Sequence, residues 1–480
     1  MLVTWRASCA DSACEAAGFV IHDPAEVILA RDDTVRRLLG AAAVAACAAV
    51  LLNANGREVG SYDTQPTKYA ARELAARGTL TLDAVVASMP ALAERPGFGQ
   101  ALDGHVRSAF PVLPSIIAAG PAWLFSMIGA LDLDASMTPT LVAKLTASLL
   151  VALAVACAFL IARARTSAGL AVLVALGYGF GTNVWLAGQT LGGHETVALG
   201  LTAALALLTP PDRAAVGWRA WAAMARLAVA GAARAQVAPA VAVLALWILA
   251  RGRFRPWPAL SLLAAAAGIV VAYNVAWFGH PLGAVARLES LHPTVHATSG
   301  SFGSPWQGGL GLLLSPSRGL LIFSPVVLVC VAGLRATARK GWRGPLAWCL
   351  AAAVAQFALY ACYSVWWGGH TYGPRYLVDM LPLLIPIAAE GAAALARNRL
   401  SSAVAAGALA WSVALAATGA FCYPAEQWNT SPDDVDVRHE RLWNWRDPQF
   451  VRCWTTGLSP QNFALFRADA LHADDQRPPD

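Results

Sequence analysis

A few residues of this sequence have the type and the company to do chemistry. Arg375 stands in WWGGHTYGPRY (366–376), where two tryptophans, three glycines and a proline separate two long apolar runs. A plain membrane turn needs none of these. The planar guanidinium fork matches a phosphate, and glycine lets backbone approach a ligand closely. Arg318, in LSPSRGLL, keeps similar company. Asp63, in SYDTQPTKYA, follows the first apolar run, with Lys68 just after it. A carboxylate partly withdrawn from water at a bilayer surface can act as a general base. Further along come His105 and Arg107 in DGHVRSAFPVLPS, His194 and Glu195 in GGHETVALG, and Arg234 in AGAARAQVAP.

Each of these has a plainer reading beside it. Asp63 and its loop could form no more than a folded cap. His194 and Glu195 sit where a span's end reaches water, and an imidazole beside a carboxylate also suits a divalent cation. Arg234, at membrane depth, needs a partner, which is either another bundle residue or an anionic headgroup. Arg375 could simply snorkel from a helix end to the interface. Taken together, Arg318 and Arg375, with Lys68 or Arg107, could hold a phosphate that belongs to a membrane lipid.

The elements that must position these residues are transmembrane helices. The chain has 480 residues, of which only 13% are charged, and its mean hydropathy is +0.52. Its apolar runs are continuous and close to the ~20 residues that span a bilayer, so an outer-membrane barrel, which needs alternation, is excluded. The fold class is therefore an all-α polytopic membrane protein with about eleven spans: 36–52, 139–162, 168–187, 194–210, 219–234, 236–250, 257–277, 319–335, 345–365, 376–395 and 400–420. The first run has no cleavable character and reads as a signal anchor. GYGFG (177–181) falls within a span and reads as helix packing. No Walker A loop, dinucleotide fingerprint or G-x-S-x-G elbow is present, and no nucleic-acid partner is expected.

Arginine placement sets the orientation. Arg36/Arg37, Arg163/Arg165, Arg213/Arg219, Arg251/Arg253/Arg255, Arg335/Arg339/Lys340/Arg343 and Arg397/Arg399 all fall on the cytoplasmic side. Two conditions apply: 112–130 must lie in the interface, and 219–250 must cross twice with a break near Arg234. The alternative, with 112–130 crossing and 219–250 as one helix, leaves two arginine loops outside. The preferred arrangement gives a cytoplasmic tail (1–35, with a lone cysteine pair, Cys9 and Cys14), a membrane domain (36–420) with a long first periplasmic loop (53–138), and a periplasmic tail (421–480). The segments 188–193, 278–318 and 366–375 are then also periplasmic, so the candidate residues gather on one face. Cys422 and Cys453 share an oxidising compartment, and a bridge between them is expected.

In their order these segments resemble the GT-C superfamily of integral-membrane glycosyltransferases, and in particular bacterial members related to protein mannosyltransferases and aminoarabinose transferases. The resemblance runs over most of 36–420. It rests on SYDTQPTKYA, HVRSAFPVLPS, GYGFGTNVW, GGHETVAL, GAARAQVAP, YNVAWFGHPL, SPSRGLLIFSP and WWGGHTYGPRYL. It implies an inverting glycosyltransferase of the bacterial inner membrane that takes a sugar from a polyprenyl-phosphate donor to a periplasmic acceptor. Asp63 would match the catalytic carboxylate of the first loop, and Glu195 roughly the second acidic position. Lys68, Arg318 and Arg375 would be candidates for the donor phosphate. The sequence departs from the pattern twice: Thr64 follows Asp63 where the family commonly has a glutamate, and the lysine–proline signature of aminoarabinose transferases is absent. No cofactor is required beyond a divalent cation, if one is used. Two other classes stay open. A lipid or solute transporter would depend most on Arg234, and a partner protein that kept the fold without the chemistry would depend on neither Arg234 nor Asp63.

Overall fold

The computed structural model describes residues 24–60, 62–95, 97–208, 216–250, 256–290, 292–339, 344–422 and 427–456. Cys9, Cys14, Arg213, Arg251, Arg253, Arg255, Lys340, Arg343 and the tail beyond 456 lie outside the described residues.

Helix dominates, as the apolar runs require. Helix α1 (Pro24–Leu52) enters the first span. It starts earlier than the sequence suggests, so 24–35 are helical and Arg37 pairs with Asp33 one turn back at 2.5 Å. The long loop holds α2 (Gln65–Arg77), a short antiparallel hairpin of β1 (Phe98–Gln100) and β2 (Val106–Ser108), and α3 (Leu113–Met127). Next come α4 (Thr138–Arg163), α5 (Ala168–Phe180), α6 (His194–Leu208), α7 (Val216–Ala233), α8 (Ala238–Ala250) and α9 (Pro256–Phe278). The remainder is α10 (Pro305–Leu314), α11 (Val329–Arg339), α12 (Pro345–Ala361), α13 (Leu381–Leu395) and α14 (Arg399–Phe421), followed by a folded tail.

By length and composition, four helices among the described residues can cross a membrane: Asp33–Leu52 within α1, α4, Trp257–Phe278 within α9, and α14. Shorter apolar helices accompany them, including α5, α6, α12 and α13. Trp257, Ile269 and Val275 on α9, and Leu400 and Val404 on α14, are exposed although apolar. So wide an unpartnered apolar surface belongs in lipid. At the centre stands α4. Its Val151, Val155, Ala158 and Ala162 are fully buried in the main apolar core, packed with α1, α5 and α6.

One expected span is broken, for a local reason. The run 319–335 becomes a short turn of helix (Leu320–Phe323), a 3-10 turn (Pro325–Leu328) and α11. Pro325 forces Ser324 out of the helical region, to φ −139° and ψ 58°. The expected pair of short helices meeting near Arg234 is present. Helix α7 ends at Ala233, Arg234 is extended (φ −151°, ψ 111°), and a 3-10 turn (Ala235–Val237) leads into α8.

The first loop is a folded cap with its own apolar core of Tyr69, Leu82, Val85 and Phe98. The hairpin docks on the end of α9, where the Arg107 guanidinium lies 3.7 Å from the Trp277 ring centroid. Arg107 also donates to Asp103 at 2.7 Å, and that bond holds the Asp103 carboxyl below its ordinary value. Cys422 and Cys453 form a disulfide that closes 31 residues of sequence, with Cα atoms 5.9 Å apart, beside Phe323, Tyr372 and Phe450.

Candidate functional site

The turn 366–376 is built by its glycines. Gly368, Gly369 and Gly373 all have positive φ (78°, 68° and 63°), which side-chain-bearing residues adopt at a cost. This geometry aims the Trp367 and Gly369 carbonyls inward, where they accept from Arg318 at 3.0 and 3.2 Å. Arg318 is fully buried and also donates to Ser317 O (2.8 Å), Gln449 Oε1 (2.8 Å) and Asn429 Oδ1 (2.7 Å). All five of its donors are consumed. The expectation that Arg318 is a phosphate ligand is therefore corrected: it staples the turn to the tail and presents nothing outward.

Arg375, at the start of a 3-10 turn (Arg375–Asp379), is placed differently. Its Nη1 stands 2.8 Å from Asp63 Oδ2, and the two side chains are 25% and 28% exposed. Among the described residues, its buried Nε–H has no hydrogen-bond partner. The pair therefore joins a carboxylate and a guanidinium that are both part-exposed to solvent. Asp63 is presented by a 3-10 turn (Tyr62–Thr64) whose chain direction is fixed by Pro66 in the first turn of α2.

One helical turn beyond Arg375 lies Asp379, fully buried. His194 Nδ1 is 2.8 Å from its Oδ1, Arg234 Nε is 3.3 Å from its Oδ2, and the Tyr360 hydroxyl donates to the same Oδ2. Tyr360 stacks on Tyr376 with ring centroids 5.1 Å apart. Arg234 thus takes the first of its two open readings, an ion pair inside the bundle. The structure brings Asp63, Arg375, Arg234 and His194 into one connected group through the 375–379 turn.

The other expected residues are engaged elsewhere. Glu195 is buried, and its carboxylate accepts from the Gly192 and Gly193 amides at 3.2 and 2.9 Å and from the Thr196 hydroxyl at 3.2 Å. It closes the first turn of α6, where backbone N–H groups favour an anion. Neither a catalytic carboxylate nor a cation site with His194 fits that arrangement. Lys68 donates to Glu58 Oε2 (2.9 Å) and Thr140 Oγ1 (3.0 Å). His105 is exposed and pairs with Asp83 at 2.7 Å. It belongs to the cap, as Arg107 does.

Several participants were not among the residues expected from sequence. Asp379 lies in PRYLVDMLPLL and Lys144 in TPTLVAKLTASLL, both within apolar runs. An ionisable residue inside a span is a signal in itself. The Lys144 ammonium is held by Asn55 Oδ1 (2.7 Å), Arg57 O (2.7 Å) and Gln189 Oε1 (2.6 Å), fastening the start of the first loop to α4. No comparable local signal marks Glu58, Asn429 or Gln449.

On the outer side of the turn, the Trp367 indole donates to Asp436 Oδ1 at 2.7 Å, and His370 Nε2 lies 2.9 Å from Asp434 Oδ1. The tail thus grips the turn by a second set of contacts.

No protein-family model matches the chain, and no curated protein matches it. Among solved structures, the chain is similar to the crystal structure of ArnT from Cupriavidus metallidurans in the apo state. The TM-score is 0.43 and the identity 16%, over 83% of this chain and 66% of that one. At that distance no residue is carried across, and this chain spans about two thirds of the other protein's length.

Proposed function

We propose that the chain is an inverting glycosyltransferase that moves a sugar from a polyprenyl-phosphate donor to a hydroxyl-bearing acceptor on the periplasmic side of the bacterial inner membrane. The observation that carries this reading is the Asp63–Arg375 pair, a part-exposed carboxylate 2.8 Å from a part-exposed arginine. The order of the sequence motifs, which resembles the GT-C superfamily, supports it.

In this reading Arg375 receives the donor phosphate on the donors that Asp63 does not occupy. Phosphate competes for the guanidinium, and the Asp63 carboxylate accepts a proton in its place. The acceptor hydroxyl oxygen then attacks the anomeric carbon from the face opposite the phosphate. The carbon–oxygen bond to phosphate breaks with its electron pair staying on phosphate, the hydroxyl proton passes to Asp63, and the configuration inverts. The departing phosphate is already a stable anion, so the greater help comes from positive charge placed where negative charge grows. Asp379 holds Arg234 and His194 behind the pair and acts by positioning.

The test is binding and turnover with a polyprenyl-phosphate sugar. Asp63→Asn should bind donor and lose turnover by about 10²–10⁴-fold, the usual worth of a general base. Arg375→Ala should weaken donor binding by about 10- to 100-fold, the worth of a charged hydrogen bond. If wild type binds no such lipid, or both variants behave as wild type, the site is misplaced, and transport or a scaffold role becomes the better account.

A further inference from the structure

The grip of the tail on the 366–376 turn has a composition that an ordinary ion pair does not need. His370 Nε2 lies 2.9 Å from Asp434 Oδ1 and 3.4 Å from Asp436 Oδ2. One ligand-type atom from each of the three residues fits within 4.8 Å of the others. A second imidazole approaches the same carboxylate, with His292 Nδ1 3.8 Å from Asp436 Oδ2. That nitrogen is buried and, among the described residues, has no hydrogen-bond partner. Leaving a buried polar atom unpaired is costly, so it calls for an occupant.

We propose that His370, Asp434 and Asp436, with His292 on the remaining side, bind a divalent transition-metal cation of the zinc type. Two imidazoles and two carboxylates form a donor set that such ions take. Four ligands at about 2.0–2.2 Å from a tetrahedral ion stand roughly 3.4 Å from one another. The separations from His370 to the two carboxylates, 2.9 and 3.4 Å, bracket that spacing, and His292, 3.8 Å from Asp436, stands at the edge of that three-residue group. The outer contacts also suit a metal centre, because a ligating carboxylate is normally held by a further donor. Asp436 is held by the Trp367 indole on its other oxygen, at 2.7 Å. Asp434 is 40% exposed and opens the site to solvent, which gives the ion an entry path. Gly369, at φ 68°, carries the backbone past the site, where an added methyl would sit 3.8 Å from both Asp436 Oδ2 and the His292 ring.

The three contributing segments are the 292 loop, the 366–376 turn and the tail. A cation here ties all three together and fixes the turn that carries Arg375. The site does not depend on the transfer reaction, and its test needs no sugar donor.

The full chain, purified in detergent without a polyhistidine tag and stripped with a chelator, is titrated with zinc chloride. Bound metal is measured by mass spectrometry after gel filtration and by calorimetry, and the melting temperature is read with and without zinc. Wild type should hold one zinc ion per chain and melt higher with it. His370→Ala should lose the ion, and Asp434→Asn should bind at least tenfold more weakly. Neither should gain in melting temperature when zinc is added. His280→Ala, which removes an exposed histidine outside the cluster, should match wild type. Should His370→Ala fail to fold, Asp434→Asn and His292→Ala decide the matter, because Asp434 carries little of the packing. Wild type that takes up no zinc, or that binds magnesium alone, overturns the proposal. So does Asp434→Asn or His292→Ala binding zinc as wild type does; the cluster is then an ion-pair clasp only.

Discussion

Arg318 and Arg375 are the same side chain in opposite electrical circumstances. Arg318 gives every donor to neutral oxygens inside the protein, and no carboxylate is among its hydrogen-bond partners. Its removal takes the donor from the Ser317, Trp367 and Gly369 carbonyls, each at about 1–3 kcal/mol when left buried and unpaired. Arg318→Met should therefore lower the stability of the solubilised protein by at least about 3 kcal/mol. Arg318→Lys, with three donors in place of five, should recover only part of this. Thermal unfolding measures the loss, and donor binding per folded molecule should not change. An Arg318→Met protein that melts as wild type but no longer binds donor would return Arg318 to the role its sequence context suggests. That context misleads for a physical reason. Both arginines follow glycine- and proline-rich turns at the outer end of a span, and local spacing cannot distinguish them. The side-chain partners of Arg318 lie 111 and 131 residues downstream. The same holds for Glu195. Its company of glycine and histidine reads as a site, but the two preceding amides turn it into a helix-closing residue. Asp379 and Lys144 are legible as charges in apolar runs, but their sequence neighbours carry no glycine-rich or polar company that marks a site.

At the scale of elements, glycine sets how near the helices approach. A methyl on Gly333 of α11 would overlap the Ile387 carbonyl on α13, and one on Gly391 would overlap the Val329 carbonyl. The two backbones touch at both positions, which is how helices associate in lipid, where apolar burial offers no net drive. Gly333→Leu and Gly391→Leu should each separate the pair, with a fall in melting temperature and in the yield of folded protein. Gly407→Leu on α14, where an added methyl meets nothing, should be neutral. Equal stability of all three variants would mean that α11 and α13 do not pack as described. Helix existence was readable from hydropathy almost throughout, and so was the break at Arg234, because a charge between two small-residue runs cannot sit inside one continuous span. The break at Ser324–Pro325 was equally available from the proline. The span count hid it, because an apolar run of sufficient length looks continuous to hydropathy even where its backbone cannot be. The fold of the first loop was not legible, because its small core draws on Tyr69, Leu82, Val85 and Phe98 from three separate stretches.

At the scale of the whole molecule, the tail and the arginine loops make one joint claim about orientation. The tail carries the disulfide and grips the turn beside Asp63 and Arg375. A disulfide persists in the periplasm and not in the cytoplasm. Arg163, Arg165, Arg335, Arg339, Arg397 and Arg399 cluster at other helix ends, where retention of positive charge marks the cytoplasmic side. If both signals read the same membrane, Glu440 in the tail and Arg397 between α13 and α14 face opposite compartments. Both positions are exposed, so a cysteine at either can be reached by a thiol reagent. In spheroplasts, a membrane-impermeant maleimide should modify Glu440→Cys and spare Arg397→Cys, and both should react once the membrane is broken. Labelling of unaltered protein sets the background from the native thiols, which among the described residues include Cys47, Cys157 and Cys362. The reverse pattern would put the Asp63–Arg375 pair on the cytoplasmic face, where the acceptors open to it are of another kind. Equal labelling of both cysteines in intact spheroplasts would mean that α14 does not cross at all. Its apolar surface of Leu400, Val404 and Trp411 would then have to be covered by something other than the bilayer core.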